Sequence, residues 1–242
     1  MTGTDHLSAC TCALDYGKAQ HIRDFAERTA AIDAAHEQVK RAVSDLKAVG
    51  LSCDLVSGAG TGTAAMEAST GLWNELQAGS YAFMDCDYNA ILMESGAPIG
   101  QISVDAETQA GVTVQGSSGG ASDQLEEGAG FQSSLFVLTE VMSLPGPGRA
   151  VCDAGLKASS VDSGLPVVAD SQGMEGVTYL SASDEHGRLL ISDDVVAPPG
   201  LGDKLRLVPG HCDPTVNMYD WIVVVRDGVV EDVWRVAGRG MR

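Results

Sequence analysis

The chain has 242 residues, 44% of them hydrophobic and 20% charged, and its 15 Lys and Arg against 33 Asp and Glu give a formal net charge of −18. This composition predicts one large or two small globular domains and argues against a disordered chain. The acidic balance argues against nucleic acid or an anionic membrane as a partner, and because no apolar run could span a bilayer and no signal peptide opens the chain, a cytoplasmic protein is expected.

The first part of the chain alternates helix and strand. Between Lys18 and Val49, apolar or small residues recur at steps of three and four, which predicts an amphipathic helix. A strand over 51–57, a Gly-rich loop over 58–63, a helix over 66–77 and a strand over 80–85 are predicted next. This order is typical of a parallel sheet, either doubly wound or in a barrel. The apolar or small helix positions are Ile22, Phe25, Thr29, Ile32, His36, Val39, Val43 and Leu46.

The rest of the chain changes character twice. Residues 95–130 are rich in Gly and Ser and end in an acidic run, so they are interpreted as an inserted flexible loop without regular structure. Residues 131–242 carry seven β-type runs, which predict an antiparallel β domain. Between the last two runs, Asp227-Gly228 predicts a tight hairpin, because these residues suit the positive φ angles of a type I′ turn.

Six cysteines are scattered along the chain without a secretory signal, so free thiols are expected rather than a disulfide framework. Cys10 and Cys12 are the only close pair, and their spacing is too tight for a zinc knuckle.

A Gly-rich stretch over 57–63 follows a predicted strand directly. Its backbone N–H groups could close on a phosphate at the start of the following helix, or the stretch could be a plain Gly-rich turn. It lacks the P-loop lysine and the dinucleotide-binding spacing, which disfavours nucleotide binding. From the residues alone, the phosphate site and the plain turn are equally good interpretations.

A second candidate lies between two β runs. In an extended segment, His211 and Asp213 would point to one face and Cys212 to the other. Imidazole and carboxylate ligands suit Mg²⁺, Mn²⁺ or Zn²⁺, with water or substrate completing the coordination. On spacing alone, a structural histidine is the commoner alternative. A third candidate, 183–187 (SDEHG), could supply acid–base groups, but a polar β-turn is favoured there.

Six segments in a fixed order resemble one family: GAGTGT (58–63), NELQAGSYAFMD (74–85), CDAGLKASSVDSGLP (152–166), DEHG (184–187), PGHCDPTVNMYD (209–220) and Arg239-Gly240. The resemblance is to the pyridoxal-phosphate (PLP)-dependent D-threonine aldolase and D-serine dehydratase-like family. Residues 18–35 (KAQHIRDFAERTAAIDAA) are similar to its branch of D-3-hydroxyaspartate aldolases.

The resemblance implies an alanine-racemase-like fold, in which a (β/α)8 barrel carries PLP and a β domain binds a divalent metal. The expected fold class is therefore α/β plus all-β, the C-terminal part of a (β/α)8 PLP-binding barrel followed by an antiparallel β domain. The expected domains are a partial barrel over 13–94, the insert over 95–130, and the β domain with the metal site over 131–242. The family also implies a homodimer.

The resemblance also assigns residues. It places the cofactor phosphate on Gly60, Thr61, Gly62 and Thr63, and Tyr16 beside the cofactor. It matches His211 and Asp213 to the family's metal pair, for Mg²⁺, Mn²⁺ or Zn²⁺. The aspartate favours an aldolase, since the family's dehydratases carry His-x-Cys.

The family's cofactor lysine, in its first barrel strand, has no counterpart here. None of the lysines lies in a family-like segment for the Schiff base, so the N-terminal half of the barrel is expected to be missing. The chain would then be a truncated member, a mis-started reading frame or one half of a split protein. The lysines are Lys18, Lys40, Lys47, Lys157 and Lys204.

The activity implied for the intact parent is a PLP- and metal-dependent cleavage of a small D-β-hydroxy-α-amino acid. D-threonine or D-3-hydroxyaspartate would give glycine plus an aldehyde or glyoxylate. One alternative is a dehydratase of D-serine or D-3-hydroxyaspartate, which eliminates the same hydroxyl as water. Another is a non-catalytic fragment that binds a metal, or docks with a partner that supplies the rest of the barrel.

Overall fold

The computed structural model describes residues 6–10, 18–101, 130–169 and 174–240. Tyr16, Cys12 and most of the predicted insert, 102–129, lie outside the described residues. The chain forms two compact units: the first takes in the described residues up to 82 and 90–100, and the second takes in 83–89 and the residues from 132 onward.

A three-stranded parallel sheet organises the first unit. Strands β1 (His6–Cys10), β2 (Ser52–Gly58) and β3 (Glu75–Leu76) lie in that order, and both pairs are parallel. Helix α1 (Phe25–Ala48) connects β1 to β2, and helix α2 (Ala64–Ala68) connects β2 to β3. The predicted alternation of helix and parallel strand is therefore confirmed, although neither β1 nor β3 was predicted as a strand.

Helix α1 begins at a side-chain cap and buries the face that the periodicity predicts. The Asp24 carboxylate accepts the Glu27 N–H at 2.9 Å, which satisfies a free donor of the first turn. Ile32, His36 and Val39 are buried, as predicted. Arg28 is also buried, which the pattern missed. Its guanidinium donates to backbone carbonyls, including that of Leu92 at 2.5 Å.

Two predicted elements are wrong. The helix predicted over 66–77 stops at Ala68, because Asn74 pairs with β2 instead. The Asn74 side chain accepts the Val56 N–H at 2.8 Å and its backbone N–H donates to the Val56 carbonyl at 3.0 Å. The strand predicted over 80–85 is a 3₁₀ turn, Ser80–Ala82, followed by Asp85, whose carboxylate accepts the Tyr88 N–H at 2.9 Å. Asp85 thereby caps a short helix, and a strand cannot continue through it.

A six-stranded antiparallel sheet forms the body of the second unit, and this confirms the predicted β architecture. From one edge to the other, its strands are β8 (Val167–Val168), β11 (Lys204–Val208), β6 (Val137–Gly146), β7 (Arg149–Cys152), β10 (Gly187–Ile191) and β9 (Val177–Ala182). Alternate side chains such as Val141, Leu189, Leu205 and Leu207 point into one apolar core. The short elements are α3 (Cys86–Asn89), β4 (Gly100–Gln101), β5 (Phe131–Gln132) and α4 (Cys212–Asn217).

A two-stranded hairpin ends the described chain. Strands β12 (Trp221–Arg226) and β13 (Val229–Arg235) pair antiparallel, and the turn residues Asp227 and Gly228 have φ angles of 49° and 73°. The predicted hairpin is therefore confirmed. Its apolar side chains remain exposed, and Trp234 keeps 56% of its surface accessible.

The thiols of Cys53, Cys86, Cys152 and Cys212 are free, as the sequence predicted. None of the helices in the described part of the chain is long and apolar enough to cross a bilayer.

Candidate functional site

The segment that follows β11 packs tightly against the segment of residues 160–164. A Cβ atom on Gly210 would stand 1.9 Å from the carbonyl oxygen of Gly164, so only glycine fits at position 210. Gly164 itself has a φ of 135°, which other residues rarely adopt. These two glycines bring Asp162 next to His211.

The His211 ring is held by one of its two nitrogens. Its Nδ1 lies 2.8 Å from Oδ2 of Asp162 and 3.2 Å from Oγ of Ser163. A carboxylate accepts a proton from an imidazole N–H, so this contact favours the tautomer with the proton on Nδ1 and the lone pair on Nε2. That Nε2 atom lies 3.8 Å from Oδ2 of Asp213. The arrangement presents a nitrogen and a carboxylate side by side.

The backbone from His211 to Asp213 is not the extended segment that the spacing predicted. His211 is extended, with φ −143° and ψ 120°, but it is the N-cap of α4, and Asp213 lies in the first turn of that helix. The two side chains nevertheless approach each other, because the helix turn brings Asp213 back toward the ring.

Cys212 points away from this pair into the interior. Its side chain is fully buried, and burial, followed by the negative charges of Asp85 and Asp213, raises the pKa of its thiol well above the usual range. A thiol of this kind stays protonated at neutral pH and is a poor metal ligand. Its backbone N–H donates to Oδ2 of Asp85 at 2.8 Å.

Three residues of this site were missed by sequence reasoning. Asp162 holds the ring, and hydrogen bonds from the Ser160 hydroxyl and from His211 lower its pKa. Thr215 accepts the Ser160 N–H at 3.0 Å and donates to the His211 carbonyl at 2.7 Å. Asp85 was placed in a supposed strand, although it also ends the resemblance segment 74–85. Asp162 lies in a segment of the family resemblance, which was a usable signal.

The residues fit a divalent cation in part. An imidazole nitrogen and a carboxylate oxygen are ligands that Mg²⁺, Mn²⁺ and Zn²⁺ accept. Within the described ranges, no group of three or more His, Cys, Asp or Glu is arranged to hold a metal. His211 and Asp213 are the side chains here that could ligate a cation, with the remaining positions left to water or substrate.

The Gly-rich loop is buried throughout, from Ser57 to Thr63. The Gly60 carbonyl accepts the N–H groups of Thr63 at 3.1 Å and Ala64 at 2.8 Å, and the Gly60 N–H donates to the Thr63 hydroxyl at 3.2 Å. The N–H groups of Thr61 and Gly62, by contrast, make no hydrogen bond to another described residue. Two neighbouring donors at the start of a helix suit a phosphate oxygen.

Packing against Gln20 also explains why residues 60 and 62 are glycines. A Cβ on Gly60 would stand 1.7 Å from Oε1 of Gln20, and one on Gly62 would stand 2.1 Å from the Gln20 carbonyl oxygen. The plain Gly-rich turn therefore stays an alternative to the phosphate site.

The segment 183–187 is a hairpin connection, which agrees with the polar turn that its sequence favoured. The Ser183 N–H donates to the His186 carbonyl at 2.8 Å between β9 and β10, and Glu185 forms an ion pair with Lys157. All the lysines of the chain are exposed: Lys18, Lys40, Lys47, Lys157 and Lys204.

Comparisons with known proteins agree with the family resemblance. The family described as "Putative serine dehydratase domain" matches residues 134–225. The chain is 48% identical over 224 residues to 3-hydroxy-D-aspartate aldolase of Paracoccus denitrificans (strain Pd 1222), which covers 93% of this chain and 49% of that protein. It is 40% identical over 225 residues to D-threonine aldolase of an Arthrobacter species, which covers 93% of this chain and 50% of that protein.

A solved structure gives the same result. The crystal structure of D-threonine aldolase from Filomicrobium marinum superposes with a TM-score of 0.73 at 38% identity, over 92% of this chain and 52% of that one. The predicted fold class, the C-terminal part of an alanine-racemase-like protein, is confirmed by this likeness. The chain spans about half the length of the curated relatives it matches.

Proposed function

We propose, from the fact that this chain belongs to the family of D-threonine aldolases and D-serine dehydratase-like proteins, that it serves in a PLP- and divalent-metal-dependent aldolase. The substrate is a small D-configured β-hydroxy-α-amino acid, D-threonine or D-3-hydroxyaspartate, and the products are glycine and an aldehyde or glyoxylate. The two relatives named for such aldolases, at 48% and 40% identity, favour carbon–carbon cleavage over dehydration.

The observation that carries the proposal is the hydrogen bond between Asp162 and Nδ1 of His211, at 2.8 Å. It keeps the Nδ1 proton in place and leaves the Nε2 lone pair beside the Asp213 carboxylate. A carboxylate behind a histidine both orients the ring and raises its basicity as a metal ligand. His211 and Asp213 then hold the cation, while Asp162 positions the ring.

When bound, PLP draws off the electron pair released as the carbon–carbon bond breaks, and a divalent cation makes the substrate hydroxyl easier to deprotonate. The chain's own part at the Gly-rich loop is to hold a phosphate oxygen with the N–H groups of Thr61 and Gly62, next to the hydroxyls of Thr61 and Thr63. Burial of this loop excludes water and strengthens such hydrogen bonds.

Metal binding tests the assignment of His211 and Asp213 as ligands of the cation. Mn²⁺ titrated into the purified chain by calorimetry is expected to bind at one site. Asp213→Asn is expected to lose most of that affinity, and Cys212→Ser to keep it. Retention by Asp213→Asn, or loss in Cys212→Ser alone, contradicts the assignment of the ligands.

Product analysis tests the reaction. The chain is supplied with PLP and Mn²⁺ and co-expressed with the part of the Paracoccus relative that it does not match. D-3-hydroxyaspartate is expected to yield glycine and glyoxylate in equal amounts. Ammonia and oxaloacetate in their place would assign a dehydratase, and no product from either D-amino acid would leave the non-catalytic alternative standing.

A further inference from the structure

A buried polar cluster lies in the first unit, apart from the residues assigned so far. Nε2 of His36 stands 3.0 Å from Oε2 of Glu67 and 3.3 Å from Nε1 of Trp73. His36 is 4% exposed, Glu67 0% and Trp73 7%, and the His36 and Trp73 rings meet edge to face with their centroids 5.8 Å apart. Three polar side chains thus share one point within an apolar core.

Such a cluster is costly to keep for stability alone. Burying a polar group is unfavourable unless it is hydrogen-bonded, and well-packed apolar residues often replace a buried pair without loss of stability. The indole N–H is only a donor, so it bonds to His36 Nε2 when that nitrogen carries a lone pair, whereas the Glu67 carboxylate accepts from Nε2 when that nitrogen carries the proton. The geometry fixes three side chains relative to one another, which a purely apolar packing would do less specifically.

Two members of the cluster touch the Gly-rich loop directly. The backbone N–H of Glu67 donates to the Thr63 carbonyl at 2.9 Å, and this helical bond joins the residue that carries the buried carboxylate to the end of the loop. The Trp73 ring covers the start of the loop, since a Cβ on Gly58 would stand 2.6 Å from its Cζ3 atom. The cluster therefore contacts the loop at both ends, through Trp73 at its start and Glu67 at its end. His36 contacts both of these residues.

We propose that His36, Glu67 and Trp73 are positioning residues for the phosphate-binding conformation of Gly58–Thr63. The inference rests on the proposed function, which assigns the cofactor phosphate to this loop. His36 links α1 to the residues at each end of the loop, and the Thr61 and Gly62 N–H groups lie between those ends. Loss of the link lets the two ends shift, and the two donors then no longer converge on one oxygen.

The test measures binding of pyridoxine 5′-phosphate, which lacks the reactive aldehyde and so binds only non-covalently. Affinity is measured by calorimetry. Emission of Trp73 is followed in a Trp221→Phe, Trp234→Phe background, where it is the sole tryptophan. The unfolding midpoint and Mn²⁺ affinity of every variant are recorded on the same samples.

The central variant is His36→Leu combined with Glu67→Leu, which removes the two contacting side chains together, and its unfolding midpoint measures what losing the acceptor of the Trp73 indole N–H costs. It is expected to keep its unfolding midpoint within a few degrees and its Mn²⁺ affinity, yet to bind the probe at least about tenfold more weakly, equivalent to roughly 1.4 kcal/mol. Glu67→Gln retains a hydrogen-bonding group and is expected to restore probe affinity. Trp73→Leu tests the contact at the start of the loop and is expected to weaken probe binding by a similar factor.

Val39→Ala is the matched control, because Val39 is buried on the same helix and packs in the same core. It is expected to lower the unfolding midpoint without lowering the affinity for the probe. Full probe affinity in both the double variant and Trp73→Leu overturns the inference and leaves the phosphate site standing. So does an equal loss of probe affinity in Val39→Ala. A native chain that does not bind the probe at all overturns the phosphate assignment and this inference together.

Discussion

Two strand–loop–helix junctions in this chain share one architecture and differ in the charge they suit. β2 leads through the Gly-rich loop into α2, and β11 leads through Pro209 and Gly210 into α4. At the first junction, the N–H groups of Thr61 and Gly62 make no bond to another described residue. At the second, the buried Asp85 carboxylate already takes the Cys212 N–H. At the second junction this N–H is already hydrogen-bonded, and the Asp162 and Asp213 carboxylates lie beside His211, so the junction suits a cation. The first junction suits an anion.

A helix start is therefore not an anion site by geometry alone. α2 and α4 are both short, with five and six residues, and the difference between the junctions lies in the Asp85 carboxylate that already bonds the Cys212 N–H. The first junction is made by consecutive residues and their backbone. The second is assembled from side chains of three separate segments, around Asp85, Asp162 and His211.

The largest effect is expected from removing the metal-binding nitrogen. His211→Ala should abolish Mn²⁺ binding in calorimetry, because Asp213 alone cannot hold the ion, while pyridoxine 5′-phosphate binding stays at the native level. His186→Ala serves as control, since His186 is exposed in the β9–β10 connection. Metal binding that survives in His211→Ala would remove the contrast between the junctions.

A side chain at the first junction should abolish anion binding in the same selective way. In Gly62→Val the new Cβ would stand only 2.1 Å from the Gln20 carbonyl oxygen, so the loop must move. We expect probe affinity to fall at least about 100-fold, which corresponds to nearly 3 kcal/mol. Gly79→Ala is the control, since its Cβ would meet nothing within 4 Å. Native affinity in folded Gly62→Val would favour the plain turn.

A smaller effect on metal affinity is expected from the Asp162 carboxylate, which contacts Nδ1 of His211. Asp162→Asn keeps the size of the side chain but removes its charge, and loss of such a partner typically costs about 10–100-fold in metal affinity. Asp194→Asn is the matched control, because Asp194 also accepts its main hydrogen bond from a serine two residues earlier. Equal Mn²⁺ affinity in the two variants would mean that Asp162 does not tune the ring.

The smallest effect concerns the buried thiol at the second junction. The pKa of Cys212 is raised in the folded chain, so the unfolded thiol ionises first, and its contribution to stability is present below about pH 9 and lost as the pH rises further. Between pH 8 and pH 10 this single group should cost about 1.4 kcal/mol of unfolding free energy.

Urea unfolding of the native chain and of Cys212→Ala at both pH values measures this contribution. The alanine variant is expected to lose less stability over the interval by that amount. An identical loss in the two proteins would show that Cys212 ionises freely when folded.

Regular elements were predictable where one periodicity runs unbroken. The buried face of α1 and the strands of the β domain follow from apolar spacing, and Asp227-Gly228 specifies its own turn. The predicted helix over 66–77 and strand over 80–85 failed because Asn74 and Asp85 bond to backbone groups distant in sequence or outside the predicted element. Local propensity cannot register such contacts.

The candidate site divides in the same way. His211 and Asp213 are close in sequence, so spacing and family resemblance single them out together. Asp162 and Asp85 reach the site only through folding, Asp162 by way of the close approach of Gly210 to Gly164. The cluster around His36 was visible only as one apolar-face position, because its partners lie 31 and 37 residues away.

The β12–β13 hairpin affects how the protein behaves at high concentration. Each strand has one partner in the described chain, and side chains such as Val223, Val225 and Val230 are more than half exposed. Exposed strand edges with valine runs are templates for intermolecular pairing, and charged residues within or beside them oppose it. Arg226 and Glu231 are such charges. Added salt screens repulsion between acidic molecules, so solubility should decline as ionic strength rises, with the hairpin as the first region to associate.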